Sequence, residues 1–271
     1  MSVITKVTTQ KRKGYYNIYL DGEFAFGVSE RTLANFRLLP GNELTTEQIR
    51  EIKNFESDAK AVEIAINYLS YQPRSIYEVL RYLKKHEVSE IAAQNAITQL
   101  TDLGYLDDKK FVELFIKNNI RVGKDGPRTL ERKLAQKGVD SQIIMQSLAE
   151  VEIEEWQDPG LRVVHSLVYQ SGKLSLKEIK RKAKTKLMSH GFMGEIADMI
   201  IENLNLSEDE DEQLEALRTQ GIKAYRRYRN QDDFSRRQKV RRYLLQHGFS
   251  SDEVNSFLNG DVCDLEELND Y

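Results

Sequence analysis

The chain has 271 residues, of which 40% are apolar and 31% charged, with a formal net charge of −3 and a single cysteine, Cys263. Apolar content on that scale supports packed cores, and the high charged fraction suits small modules whose helices face water over much of their surface. One cysteine excludes an internal disulfide and any multi-cysteine zinc site, which fits a reducing cytoplasm, and no stretch approaches the roughly eighteen apolar residues of a membrane span. The opening residues carry no apolar run behind their basic ones, so no secretory signal is expected.

The first 57 residues are unlike the rest. Val3–Thr9, Tyr15–Leu20 and Glu23–Val28 are short runs rich in β-branched and aromatic residues. Asp21-Gly22 between the last two is a tight-hairpin signal. Two short helices are expected to follow, Ser29–Phe36 and Thr46–Phe55, the second capped by Thr45.

Beyond residue 57 the sequence repeats. Segments beginning at Leu83, Leu134, Leu187 and Leu244 and ending at Val88, Val139, Phe192 and Phe249 share one pattern, with the leucines 51, 53 and 57 residues apart. Each follows a basic amphipathic stretch and precedes an apolar-periodic one, the signature of a helix–turn–helix. Gly138, Gly191 and Gly248 stand where a helix must stop in a left-handed conformation, which costs glycine least. Glu87 occupies that place in the first repeat, so its turn should be strained or built differently. Ser89, Asp140 or Ser141, and Ser250 or Ser251 are the expected caps of the helices that follow. Their buried stripes are expected to be Ile91, Ala96, Ile97 and Leu100 in the first repeat, and Ile143, Ile144 and Leu148 in the second. A third helix precedes each pair: Ala61–Tyr71, Asp108–Asn119, Leu161–Tyr169 and Leu214–Tyr228.

The expected fold is mainly α, with tandem three-helix, helix-turn-helix-like repeats in an elongated curved array and a small N-terminal β-rich element. Residues 1–57 form the hairpin and short-helix element. Repeats follow at 58–108, 109–158, 159–208 and 209–260, and an acidic tail occupies 261–271. Gly104–Asp108, Gln157–Gly160 and Ser207–Glu212 read as the separators between repeats. One three-helix unit buries little surface alone, so neighbours should stack.

No catalytic constellation is found. GxxxxGK[ST], GxGxxG after a strand and HExxH are all missing, and Gly123–Pro127 lacks phosphate-loop spacing and reads as a turn. Three of the four histidines, His86, His190 and His247, fall at one repeat position in the last helical turn, where Lys137 stands in the second repeat. A cation there is favoured by the helix dipole, so a structural role accounts for them. His165 is isolated. Catalysis, a metal and a cofactor are accordingly not expected.

Charge clustering is the positive signal. Lys173–Lys186 holds seven basic residues and one acidic, and Arg218–Arg242 holds ten and two, the second interleaved with tyrosines. In Arg236–His247, Val240, Tyr243 and Leu244 should be buried, with Arg237, Lys239, Arg241 and Arg242 mostly off that stripe. Such faces suit either solvated helix surface, the usual fate of charged residues, or an anionic partner, nucleic-acid phosphate or acidic protein surface, and the second stretch carries more charge than solvation needs. Acidic Ser207–Glu212 and the tail Asp261–Asp270 supply the compensating charge.

Several runs together resemble the RecX family of recombination regulators. They are RSIYEVLRYL over Arg74–Leu83, GYLDDKKF over Gly104–Phe111, GPRTLERKL over Gly126–Leu134, and Lys137-Gly138. The strongest likeness covers about residues 58–150. The strand-rich start and fourth repeat look like the long form of the family from low-GC Gram-positive bacteria, and Glu87 departs from its usual glycine. The resemblance implies a protein that binds the RecA recombinase filament on DNA. It would inhibit ATP hydrolysis and strand exchange by limiting filament extension and promoting disassembly. A DNA-binding helix-turn-helix protein acting without a recombinase is the rival. RecA filament and DNA are the implied partners, a monomer is expected, and no membrane is involved. The basic residues expected to meet the partner are Arg128, Arg132, Lys133, Lys180, Arg181, Lys184, Arg237, Arg241 and Arg242. The motif residues Leu106, Asp107, Asp108, Phe111, Gly126, Pro127, Gly138, Gly191 and Gly248 are expected to be structural, with Asp107 and Asp108 capping the helix that begins at Lys109.

Overall fold

In the computed structural model, the described residues are 1–204, 206, 209–265 and 268. The chain is mainly helical with a small N-terminal sheet, and its contacts divide it into two compact units. The first holds residues 1–112 and 134–144, and the second 113–133 and 145–271.

The sheet opens the first unit. Strands β1 (Ser2–Thr9), β2 (Tyr15–Leu20) and β3 (Glu23–Ser29) form an antiparallel meander, and β4 (Glu43–Leu44) pairs with β1, giving the order β3-β2-β1-β4. Asp21 and Gly22 both have positive φ, 51° and 93°, as a two-residue hairpin turn of the I′ type needs. One face carries Ile4, Ile18, Phe26 and Val28, which pack with Leu38, Leu44 and Ile52. Helix α1 (Glu30–Asn35) starts from Ser29 as expected.

The helix from Thr46 corrects the sequence reading. Helix α2 runs without a break from Thr46 to Leu69, joining the two segments expected as separate helices and passing through residues 57 and 58. Ser57 and Asp58 flank the limit set between the N-terminal element and the first repeat, and both residue types favour caps. With no glycine or proline nearby, nothing ends the helix, and Asp58 instead accepts a bond from Asn95 Nδ2 at 3.0 Å. Ile52 serves the sheet's core, and Ala61, Val62 and Ala65 serve the next.

That next core belongs to α2, α3 (Ile76–Lys85) and α4 (Glu90–Asp102). On α4 the buried residues are Ala92, Ala93, Ala96, Ile97 and Leu100, while Ile91 is 76% exposed. Ala96, Ile97 and Leu100 are thus buried as expected, and Ala92 and Ala93 take the place expected of Ile91, their small side chains letting α4 approach α2 closely.

Helices α5 (Asp108–Val122), α6 (Pro127–Gln136) and α7 (Ser141–Ala149) follow. The second unit continues with a short 3-10 turn (Ile153–Trp156), α8 (Gln157–Val164), a second 3-10 segment (His165–Gln170), α9 (Leu176–Ser189) and α10 (Gly194–Glu202). It ends in α11 (Glu210–Arg227), α12 (Asp233–Gln246) and α13 (Ser251–Asn259). Gln157–Gly160, read from sequence as a separator, is the first turn of α8. Proline is tolerated there because the first-turn N–H groups have no intrahelical partner. Gly160 packs so closely that a Cβ would stand 2.2 Å from Ile200 Cδ1. The helix expected over Leu161–Tyr169 turns 3-10 at His165. In the acidic stretch after α10, Ser207 and Glu208 lie outside the described residues. Asp209 caps α11, whose first turn carries Glu210, Asp211 and Glu212, the favoured sign at a helix N-terminus. The expected acidic tail lies partly outside the described residues. Among them no helix is long and apolar enough to cross a membrane.

Candidate partner-binding surface

The repeated leucines, glycines and apolar residues form one turn made four times. In each, the N–H of Val88, Val139, Phe192 or Phe249 donates to the carbonyl of Leu83, Leu134, Leu187 or Leu244, at 3.0–3.3 Å. The preceding N–H of Glu87, Gly138, Gly191 or Gly248 donates three residues back, at 2.9–3.1 Å. This is the Schellman pair of bonds around a left-handed residue. Gly138, Gly191 and Gly248 have φ of 74°, 89° and 90°. Glu87 adopts the same geometry at φ 59°, so the first turn is strained rather than built differently.

These turns are also where one repeat meets the next. Ser75, the N-cap of α3, donates its hydroxyl to the Lys137 carbonyl at 2.6 Å, and Ser175, the N-cap of α9, does the same to His247. Before α6 the residue is Gly126, whose own N–H donates to the His190 carbonyl at 2.8 Å. A side chain at Gly126 would fall 2.4 Å from the Gly191 carbonyl carbon. At Gly138 a Cβ would lie 2.3 Å from the Tyr77 ring, and at Gly191 it would lie 2.5 Å from the Thr129 nitrogen. Glycine is therefore demanded twice at these turns, by φ and by contact. The turn at Glu87 has no three-helix repeat before it in the chain, and Glu87 is exposed.

A second bond completes two of the three junctions. The Ile76 N–H donates to Asp108 Oδ1 at 2.9 Å, and the Leu176 N–H to Gln213 Oε1 at 3.1 Å. Pro127 holds the equivalent place in α6 and has no N–H to satisfy. Asp107 and Asp108 therefore divide their work. Asp107 caps its own helix through the Lys110 N–H, which holds its carboxyl below the usual range. Asp108, expected to cap that helix too, binds the start of α3 instead, and burial pushes its pKa up. Leu106 and Phe111 are buried beside them in the chain. Lys137 adds an ion pair to Glu78 at 2.6 Å. His86, His190 and His247 are the C-caps of α3, α9 and α12. His190 Nδ1 lies 3.0 Å from the Lys124 carbonyl, and His247 stacks on Tyr243.

The second helices α3, α6, α9 and α12 each carry exposed residues beside their buried ones. The nine basic residues divide on this point. Arg128, Arg132, Lys180 and Arg242 are exposed, and none makes an ion pair among the described residues. Among the described residues the Arg128 side chain reaches the Met193 sulfur, at 3.2 Å. Lys133 pairs with Asp125, and Lys184 with Asp198 at 2.8 Å. Arg181 makes two bonds to Glu178, at 2.7 and 2.8 Å, which hold that glutamate's pKa down. Arg237 is half-buried and donates to the Leu258 carbonyl at 2.8 Å, near the end of α13. Arg241 is bonded to Asn255. Val240, Tyr243 and Leu244 are buried as expected. Arg128 and Arg132 lie one turn apart on α6, and Lys180 and Lys184 one turn apart on α9, so each pair shares a flank. Arg132 and Arg242 stand two residues before their repeat leucines. Arg81 holds the same position before Leu83, exposed and 5.9 Å from the Tyr77 ring centre. Sequence reasoning passed over Arg81, although counting back from the repeated leucine finds it.

Comparison with known proteins gives this arrangement a family. Residues 2–45 match the model of the regulatory protein RecX N-terminal domain. Residues 61–100, 107–148 and 210–258 match the RecX first, second and third three-helix domains. A regulatory protein RecX from Lactobacillus gasseri is 62% identical over 271 residues, covering all of both chains. The chain belongs to the RecX family. Within it, the RecX of Lactobacillus johnsonii is 58% identical, again over the whole of both chains. The crystal structure of RecX from Lactobacillus salivarius aligns with a TM-score of 0.52 and 28% identity, over 56% of this chain and 98% of that one. Three of the four turns described above, those beginning at Leu83, Leu134 and Leu244, lie within these matched three-helix domains, and the turn at Leu187 lies between the second and third of them.

Proposed function

We propose that this chain, a member of the RecX family of regulators, binds the filament that the RecA recombinase forms on DNA in the cytoplasm. Bound there, it inhibits ATP hydrolysis and strand exchange by limiting filament extension and promoting disassembly. It acts as a monomer and by binding rather than catalysis. The observation that supports this best is the set of outward cations Arg128, Arg132, Lys180 and Arg242, with no carboxylate partner among the described residues. An exposed charge without a partner keeps its full attraction for an incoming anion, whereas a paired one must first break its bond. Lys133, Arg181, Lys184, Arg237 and Arg241 then hold the helices and assist at the margin.

The proposed organisation is an element at 1–57, repeats at 58–108, 109–158, 159–208 and 209–260, and a tail at 261–271. Three of these limits fall inside helices, since α2, α5 and α8 run through 57/58, 108/109 and 158/159. Several weak contacts from successive repeats add through effective concentration. Co-sedimentation with RecA filaments on single-stranded DNA tests the reading. The chain should pellet with the filament at concentrations where it does not pellet with bare DNA. Equal recovery with bare DNA would favour the rival, a helix-turn-helix protein that acts on DNA alone.

A further inference from the structure

The first unit carries a surface that the helical reading does not use. Ladder partners in an antiparallel sheet project to the same side. Lys6 pairs with Tyr19 and Thr8 with Asn17, while Tyr19 pairs with Phe24 and Asn17 with Gly27. These residues line the face opposite Ile4, Ile18, Phe26 and Val28. Phe24 is 59% exposed, and its ring meets Tyr19 edge-on with centroids 6.0 Å apart. Lys6 Nζ lies 6.0 Å from the Tyr19 ring centre. Farther along, Gln10 reaches across to Asn17 Oδ1 at 2.9 Å, over the space that Gly27 leaves by having no side chain. The turn from β1 to β2 closes the strip with Lys11, Arg12 and Lys13. Arg12 is fixed by Glu63 at 2.6 Å and lies over the Tyr15 ring, while Lys11 and Lys13 are exposed and make no ion pair among the described residues.

Two aromatic rings, a row of amide and hydroxyl groups, and cations at both ends form one strip. At about 3.3 Å per residue, the rings and the basic turn stand roughly 15 Å apart along β2. A duplex presents no free base face to such a strip, but a single strand does. Planar bases stack on the rings, the amides meet base edges, and lysines meet phosphate. An acidic protein surface would satisfy the lysines and leave the rings without a role. We propose that this open sheet face binds single-stranded DNA, with Tyr19 and Phe24 as the stacking platform and Lys6, Lys11 and Lys13 as the phosphate contacts. The choice of DNA rests on the reading of the chain as acting on a DNA-bound filament, whereas the stacking argument stands without it.

Fluorescence anisotropy of the full chain with a labelled oligothymidine, with RecA left out, tests this directly. Phe24→Ala and Tyr19→Ala should each weaken binding about tenfold, and Phe24→Tyr and Tyr19→Phe should keep it. Lys11→Glu with Lys13→Glu should lower both affinity and the slope of log affinity against log salt, the slope by about 0.7 for each phosphate no longer neutralised. Circular dichroism of each variant checks that the sheet has formed. Unchanged affinity in folded Phe24→Ala and Tyr19→Ala would overturn the proposal, as would an equal loss on a duplex of the same length. Arg132→Glu with Arg242→Glu, measured beside them for RecA inhibition, separates the two readings. Loss of inhibition there with no ring dependence here would remove the sheet site alone.

Discussion

Replacing Glu87 with glycine should stabilise the chain, although it deletes a side chain and adds none. At φ 59° a non-glycine residue pays about 1–2 kcal/mol for the left-handed conformation. Glycine removes that cost but gives the unfolded chain more freedom, worth about 0.4–1 kcal/mol. The net gain is about 0.5–1 kcal/mol, since exposed Glu87 has no packing to lose. Gly138→Ala is the mirror experiment. It restores the left-handed cost at φ 74° and drives a Cβ to 2.3 Å from the Tyr77 ring, so overpacking adds about 1–3 kcal/mol. Global melting of a chain with two units is a poor readout, because unfolding need not be two-state. Native-state hydrogen exchange at Val88 and Val139 reports each turn separately. Val88 should exchange about two- to fivefold more slowly in Glu87→Gly, and Val139 more than tenfold faster in Gly138→Ala. Faster exchange at Val88 in Glu87→Gly would refute the claim that all four turns are one motif and that the first is strained.

Three further predictions concern the junctions and the helix caps. Ser75→Ala removes both an N-cap and the bond to the Lys137 carbonyl, and should cost about 2 kcal/mol. Ser250→Ala removes only the cap and capping box of α13 and should cost about 1 kcal/mol, so equal losses in urea titration would deny the junction bond any share. Asp108→Asn keeps an acceptor for the Ile76 N–H and relieves the burial of a charge. It should therefore be neutral or stabilising at pH 7, whereas Asp108→Ala should cost about 1 kcal/mol. Asp107 has a depressed folded pKa, so its contribution is present above the unfolded carboxylate range and is lost as pH falls through the folded value. Asp107→Asn should flatten that part of the acid limb, and an unchanged limb would contradict the cap.

What could be read from sequence was local. The Schellman turns were legible because leucine, left-handed glycine and the following apolar residue sit within six positions and each answers to backbone geometry. The hairpin at Asp21-Gly22 was legible for the same reason. Continuity was harder. Ser57-Asp58 and Pro159-Gly160 are the residue types that end helices, yet the first pair sits on an exposed or half-buried stretch of α2 and the second in a first turn, where neither is costly. Ile91 misled because a large apolar residue outranks alanine in any pattern, while close packing of α4 on α2 selects alanine. The candidate site was legible as a set of cations but not as a surface. The bonds from Lys133 to Asp125, Lys184 to Asp198 and Arg237 to the Leu258 carbonyl join residues 8, 14 and 21 positions apart. No charge count along the chain distinguishes Arg237 from Arg242.

Engagement of a RecA filament by the outward cations is the proposed basis of inhibition. It is tested most directly by the steady-state ATPase of RecA on single-stranded DNA, titrated with the intact chain and with a variant carrying Arg128→Glu, Arg132→Glu, Lys180→Glu and Arg242→Glu. The intact chain should suppress hydrolysis, and at least tenfold more of the folded variant should be needed to do so. Unchanged hydrolysis at a several-fold excess of the intact chain over RecA, or equal inhibition by the variant, would contradict it.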